Sequence, residues 1–148
     1  MSRLTVLQAL QTILETEFSR VYVYPDDYSD IADEPTLPFF ALEELPASEN
    51  NTVVLAADWI DTEWTISLYC YMAEGEMPTP GADDAAAKAL AYTARDTIRG
   101  LLEANLNLTG TAKQIGDDRR TYTDMVVPLQ WNQRPYMGAY FEIPVLSG

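Results

Sequence analysis

Histidine is missing from all 148 residues, and cysteine occurs once, at Cys70. Without imidazole no Ser-His or Cys-His nucleophile system can be assembled within the chain, and the usual thiolate and imidazole zinc sites are missing too. A lone cysteine excludes an intrachain disulfide and fits a reducing cytosol. Basic residues are also scarce: nine Lys and Arg stand against 23 Asp and Glu, a formal net charge of -14. The bases are scattered, Arg119 and Arg120 forming the one adjacent pair, and no stretch interleaves them with aromatics. Direct gripping of nucleic acid is therefore not expected, because such a surface repels phosphate backbones and anionic lipid headgroups. No segment approaches the ~18 consecutive apolar residues of a membrane span. Met1 to Thr5 carry no signal-peptide apolar run, so the chain reads as one made and used in water.

What is present suffices for a core. The apolar fraction is 47%, and the length falls within the usual size of a single domain, taken here as residues 1–148. From Leu4 to Phe18 apolar residues recur at three- and four-residue steps, which predicts an amphipathic helix with Ser2 as its cap. Val21 to Tyr24 predicts a short strand, Ser29 to Pro38 a loop, and Phe39 to Leu45 a second strand ended by Pro46. Between Thr62 and Met72 the residues Trp64, Ile66, Leu68, Cys70 and Met72 alternate with polar and aromatic ones, the strongest strand signal in the chain. Val53 to Ala57 precedes it, and Asp58 to Asp61 supply a turn that would join the two as an antiparallel hairpin. After Pro78-Thr79-Pro80-Gly81, the pattern opened by Asp83 and Asp84 and carried through Leu102 predicts a long helix that loosens at Asn105 to Gly110. Arg119 to Val127 and Gly138 to Val145 predict a terminal hairpin with Trp131 to Pro135 between its strands. The expected fold is α+β: a mixed or mainly antiparallel sheet with two helices packed on one face, in the order α-β-β-β-α-β-β.

The chemistry-bearing candidates are few. Paired acids occur at Asp26-Asp27, Glu43-Glu44, Asp58 with Asp61, Asp83-Asp84 and Asp117-Asp118, a number that 23 acids produce by chance, and turns or caps account for them. Asp26, Asp27 and Asp30 lack the ligand spacing and glycine of a calcium loop, and Leu108 to Lys113 lack the spacing of a phosphate cradle. Cys70 falls on the core-facing parity of its strand, as a small hydrophobe would. No catalytic residue, metal or cofactor is expected. The excess is aromatic: Tyr69 and Tyr71 fall on the outward parity of their strand, and Trp131, Tyr136 and Tyr140 surround the last turn. Aromatics outside a core mark interfaces, so these five residues are the candidate subunit interface; cover by a further helix or loop is the competing explanation.

The order of elements, closing with Trp131-Asn132-Gln133-Arg134-Pro135-Tyr136-Met137-Gly138-Ala139-Tyr140-Phe141-Glu142-Ile143-Pro144-Val145, resembles the tail terminator proteins of long-tailed bacteriophages, also called tail completion or head-tail joining proteins. The resemblance spans most of the chain and rests on architecture rather than on an invariant motif. It implies a homohexameric ring at the tail-neck junction of a virion. Such a ring caps the tail tube, stops its polymerisation and presents a surface to neck and connector proteins, with no catalytic residue. A ring around a DNA channel would give the acidity a role, since a negative lumen repels passing DNA. The alternatives are another neck component, such as a stopper or connector adaptor, or a carboxylate-dependent hydrolase or small-ligand binding module on the same frame.

Overall fold

The alternating apolar positions of the strands and the three- and four-residue apolar steps of the helices converge on one side of a single sheet. The computed structural model describes residues 3–24, 36–45, 50–54, 59–74, 82–110, 114–115, 123–131 and 133–147. In chain order these form helix α1 (Arg3–Leu14), strands β1 (Val21–Val23), β2 (Phe39–Glu44), β3 (Asn50–Val54) and β4 (Trp59–Glu74), helix α2 (Ala82–Ala104), a 3-10 turn (Leu108–Gly110), and strands β5 (Gln114–Ile115), β6 (Thr123–Trp131) and β7 (Arg134–Ser147). The expected α+β class and the helix, strands, helix, strands order hold. Among the described residues, no helix is long and apolar enough to cross a membrane.

The seven strands occupy five positions across the sheet, because β2 and β3 share one edge of β4, and β5 and β6 share one edge of β7. The antiparallel pair β4 and β7 is the spine, in register from Thr62 opposite Ser147 to Glu74 opposite Tyr136. One irregularity, between Tyr71 and Ala73, leaves Met72 as the extra residue. Beside it the two backbones approach so closely that a Cβ on Gly138 would lie 1.9 Å from the Cys70 carbonyl oxygen. The sheet is mixed because β1 runs parallel to β2, Val21 opposite Phe40. Parallel neighbours need a long return connection, which gives the stretch between β1 and β2 its length. The expected loop from Ser29 lies within that stretch; its residues through Pro35 fall outside the described residues.

Both helices cover the same face. Val6, Leu7, Leu10, Ile13 and Leu14 of α1 are buried. With Ile98 and Leu102 of α2 they pack against Phe40, Leu42, Trp64, Ile66, Leu68, Cys70, Phe141 and Ile143. Each fully buried Leu, Ile or Phe side chain contributes ~1.5–3 kcal/mol, so this layer is the main source of stability. Cys70 is part of it, and burial pushes its thiol well above the ordinary value. Arg99 of α2 grips Asp124 of β6 with two charged bonds, Nε to Oδ2 at 2.6 Å and Nη2 to Oδ1 at 2.7 Å, fastening the helix to the outer strand.

Several boundaries differ from those the sequence predicts. Helix α1 ends at Leu14, not Phe18, because the Thr16 hydroxyl and amide both donate to the Ile13 carbonyl, at 2.7 and 3.2 Å, and close a tight turn. Phe18 keeps its place in the apolar pattern by reaching Phe40 from that turn, ring centroids 4.6 Å apart. The β3–β4 hairpin is present, but β4 starts at Trp59, so Asp61 is a strand residue paired with Thr52 and not part of the turn. The terminal hairpin is also tighter than expected: Trp131 pairs with Arg134, and Gln133 just before that pair lies in the left-handed region at φ 63. Sequence spacing misses this because the aromatic and proline residues from Trp131 to Pro135 read as turn chemistry. The expected cap Ser2 and the acid clusters at 26–30 and 117–118 lie outside the described residues.

Candidate interaction face

The strands that turn Phe40, Leu42, Ile66, Leu68 and Phe141 toward the helices turn their alternate residues the other way. Among the described residues no helix packs on that second face. Its centre is an aromatic cluster. Phe39 and Tyr71, opposite each other in register, stack with centroids 4.4 Å apart and planes at 5°. The rings of Trp131 and Tyr136 meet Phe39 edge-on at 6.1 and 5.9 Å, the arrangement that the ring quadrupole favours. Beside this cluster Tyr69 lies 5.0 Å from Tyr140, and Tyr69 and Tyr71 are 6.5 Å apart, so the rings form a continuous band across β2, β4, β7 and the end of β6.

All five residues expected at an interface therefore lie on this face, but not in equal positions. Tyr71 and Tyr136 are buried within the chain and hold the band from below. Tyr69, Tyr140 and Trp131 are half-buried and present ring surface outward. Sequence reading missed Phe39, Tyr22 and Ala41, because the run Phe39-Phe40-Ala41-Leu42 is apolar on both parities. That unbroken run was itself the available signal, since a strand apolar on both sides has two faces to cover. It also missed Met125, which stands opposite Tyr140 in register and is 39% exposed, the largest value in this row.

A polar row borders the rings. Glu43, Ser67 and Glu142 are consecutive partners across β2, β4 and β7. The two carboxylate-bearing residues are thus two strand spacings apart, on the order of 10 Å. The Tyr140 hydroxyl donates to Glu142 Oε1 at 2.9 Å and lies 3.4 Å from Ser67 Oγ. Burial, with the neighbouring Glu142 carboxylate, pushes the Tyr140 phenol up to about 12. The Tyr69 phenol is also raised, by burial and then by the charge of Glu43. At neutral pH these phenols are protonated donors and not bases. The Glu43 carboxylate has no hydrogen bond or ion pair among the described residues, and burial raises its pKa. Trp131 Nε1 is buried and has no acceptor among the described residues, and an unsatisfied buried donor costs ~1–3 kcal/mol relative to a satisfied one.

Glu44, the neighbour of Glu43, points to the opposite side of the strand. There it accepts from Arg3 at 2.6 Å and from the Tyr24 hydroxyl. Burial alone would raise its carboxyl, but the bonds from Tyr24 and Arg3 outweigh that effect and hold it below its ordinary value. The pleat thus separates the acid pair Glu43-Glu44 onto two faces. Among the described residues no group of three or more Cys, Asp or Glu converges in a metal-binding geometry. The face can therefore stack flat apolar groups and pair cations. Compared with models of known protein families and with curated proteins, the chain matches none.

Proposed function

We propose that this chain is a structural assembly protein of the tail terminator kind, which joins copies of itself in a ring that caps a phage tail tube and meets the neck proteins of the virion. The observation that carries this reading is the second sheet face, on which no helix packs among the described residues and where half-exposed Tyr69, Tyr140 and Trp131 and the exposed Met125 are bordered by Glu43 and Glu142. Aromatic and methionine side chains in a polar rim are the composition of interface centres, where rigid rings contribute contact area at low entropic cost. The element order supports the same reading through its resemblance to that family. The net charge of -14 suits a subunit whose ring surrounds passing DNA without holding it.

Light scattering and negative-stain electron microscopy of the purified chain, alone and with assembled tail tubes, test the reading. Rings of six subunits seated on tube ends are the expected result. A ring of another symmetry that ignores tubes would point to a stopper or connector adaptor instead. A strict monomer at high concentration, without tube binding, would contradict the proposal.

A further inference from the structure

Three carboxylates of the sheet are met within the chain: Glu44 by Arg3, Asp124 by Arg99 and Glu142 by the Tyr140 hydroxyl. Glu43 is half-buried and has no hydrogen bond or ion pair among the described residues. The hydroxyl of Ser67, its partner in register, lies instead 3.4 Å from the Tyr140 hydroxyl. Along β2 the next residue on the same face is Ala41, 3% exposed, with Tyr22 opposite it on β1 and Tyr69 opposite it on β4. Both tyrosines are half-buried and pack against the aromatic cluster. Glu43 therefore stands where a carboxylate borders ring surface. Desolvating it alone is unfavourable, and a cation that meets it removes that cost. A guanidinium suits the place better than an ammonium, because its flat fork bonds a carboxylate while its plane rests on a tyrosine ring.

We infer that the β1–β2–β4 side of this face, at Tyr22, Glu43 and Tyr69, is the docking site for an arginine carried by a basic segment of a protein other than this chain. The inference rests on the assembly reading above, in which the chain meets further proteins, and it names the surface and the chemistry of one such contact. Charge complementarity selects the partner. With 23 acids against nine bases, copies of the chain repel one another and attract a basic segment. Arg3, Arg95 and Arg99 are ion-paired at home, and Arg20 donates to the carbonyls of Leu37 and Pro38. Met125 on β6 lies three strand spacings from β2, on the order of 14 Å. A copy that covers the β6 side and an arginine at Glu43 thus occupy different parts of the face.

The test titrates N-acetyl-arginine amide into the dilute full-length chain, with amide NMR as the readout and light scattering on the same samples. Saturable shifts centred on Ala41, Glu43 and Tyr69 are expected, with binding about tenfold weaker in Glu43→Gln. N-acetyl-citrulline amide, of similar shape but uncharged, should produce no such shifts. Glu103→Gln removes an exposed acid of α2 and should bind the probe as the unaltered chain does. Shifts spread over the whole acidic surface, equal weakening in the two variants, or equal binding of the citrulline compound would each overturn the site. On the assembled chain the arginine probe should leave light scattering unchanged; dissociation would assign the cation to a second copy and overturn the proposed partner. A chain that forms rings but does not bind the probe at Glu43 loses this inference alone. One that binds the probe there but never assembles loses the ring reading and keeps the arginine site.

Discussion

The two faces of the central sheet are built from alternate residues of the same strands, yet they solve different problems. Toward the helices, Phe40, Leu68, Phe141 and Ile143 are fully buried and carry no polar atom. Toward the other side, Tyr69, Tyr140 and Trp131 are half-buried, and each carries a hydroxyl or an indole N–H at the end of a flat apolar body. The first composition suits a permanently dry layer. The second suits a surface that is wet in a free chain and dry in a complex, since a tyrosine loses little in either state. One strand can thus serve folding with one set of alternate residues and association with the other.

The contrast is sharpest between adjacent residues of β7. Phe141→Ala should lower unfolding free energy by ~3–5 kcal/mol in urea titration, because it opens a cavity under α2. Tyr140→Ala, one residue away, should cost about 1 kcal/mol in dilute solution but weaken self-association far more than that loss explains. Equal destabilisation by the two changes would remove the distinction between the faces. The next largest effect concerns the join between them. Gly138→Ala places a methyl group against the Cys70 carbonyl oxygen, 1.9 Å from the ideal Cβ, and also against Leu129 Cδ1 at 2.9 Å. Parting the spine strands there should cost about 3 kcal/mol, seen as a lower midpoint of thermal unfolding.

The smallest effect is a pH dependence at Glu43. Burial raises its carboxyl above the ordinary 4.5 in the folded chain, so the folded state keeps this proton to higher pH than the unfolded state does. Its contribution to stability is complete below the ordinary value and is lost as pH rises through the raised one. Glu43→Gln, which mimics the protonated side chain, should match the unaltered chain at low pH and be slightly more stable at neutral pH, with dilute thermal melts as the readout. A Glu43→Gln variant less stable at neutral pH would mean that a cation already neutralises the carboxylate within the chain.

How much of this was legible in the sequence depended on whether a segment has one apolar parity or two. The alternation around Trp64, Ile66 and Leu68 disclosed β4 and its inward face, and the spacing from Ala87 to Leu102 disclosed α2. The run Phe39-Phe40-Ala41-Leu42 disclosed a strand but not the division of its residues between two layers. The parallel pairing of β1 with β2 was not legible either, because strand direction depends on where the connecting chain travels and leaves no periodic trace. Tyr69 and Tyr71 were found by parity alone, whereas their different depth depends on Phe39 and Tyr136, which arrive from distant parts of the chain. The unpaired state of Glu43 among the described residues was invisible for a similar reason. Which groups neighbour it is set by the register, which puts Ser67 opposite it and Glu142 one strand further on.

The central claim is that the helix-free face is covered when the chain assembles, and Met125 reports on it directly. Met125 is 39% exposed in the single chain, in register with Tyr140, whereas Met137 on the same hairpin is 2% exposed and serves as the internal reference. Mild peroxide oxidation followed by mass spectrometry, applied to the dilute and assembled fractions, should give rapid sulfoxide formation at Met125 in the first and strong protection in the second, with Met137 slow in both. Oxidation of Met125 at the same rate in rings and in free chains would contradict the account.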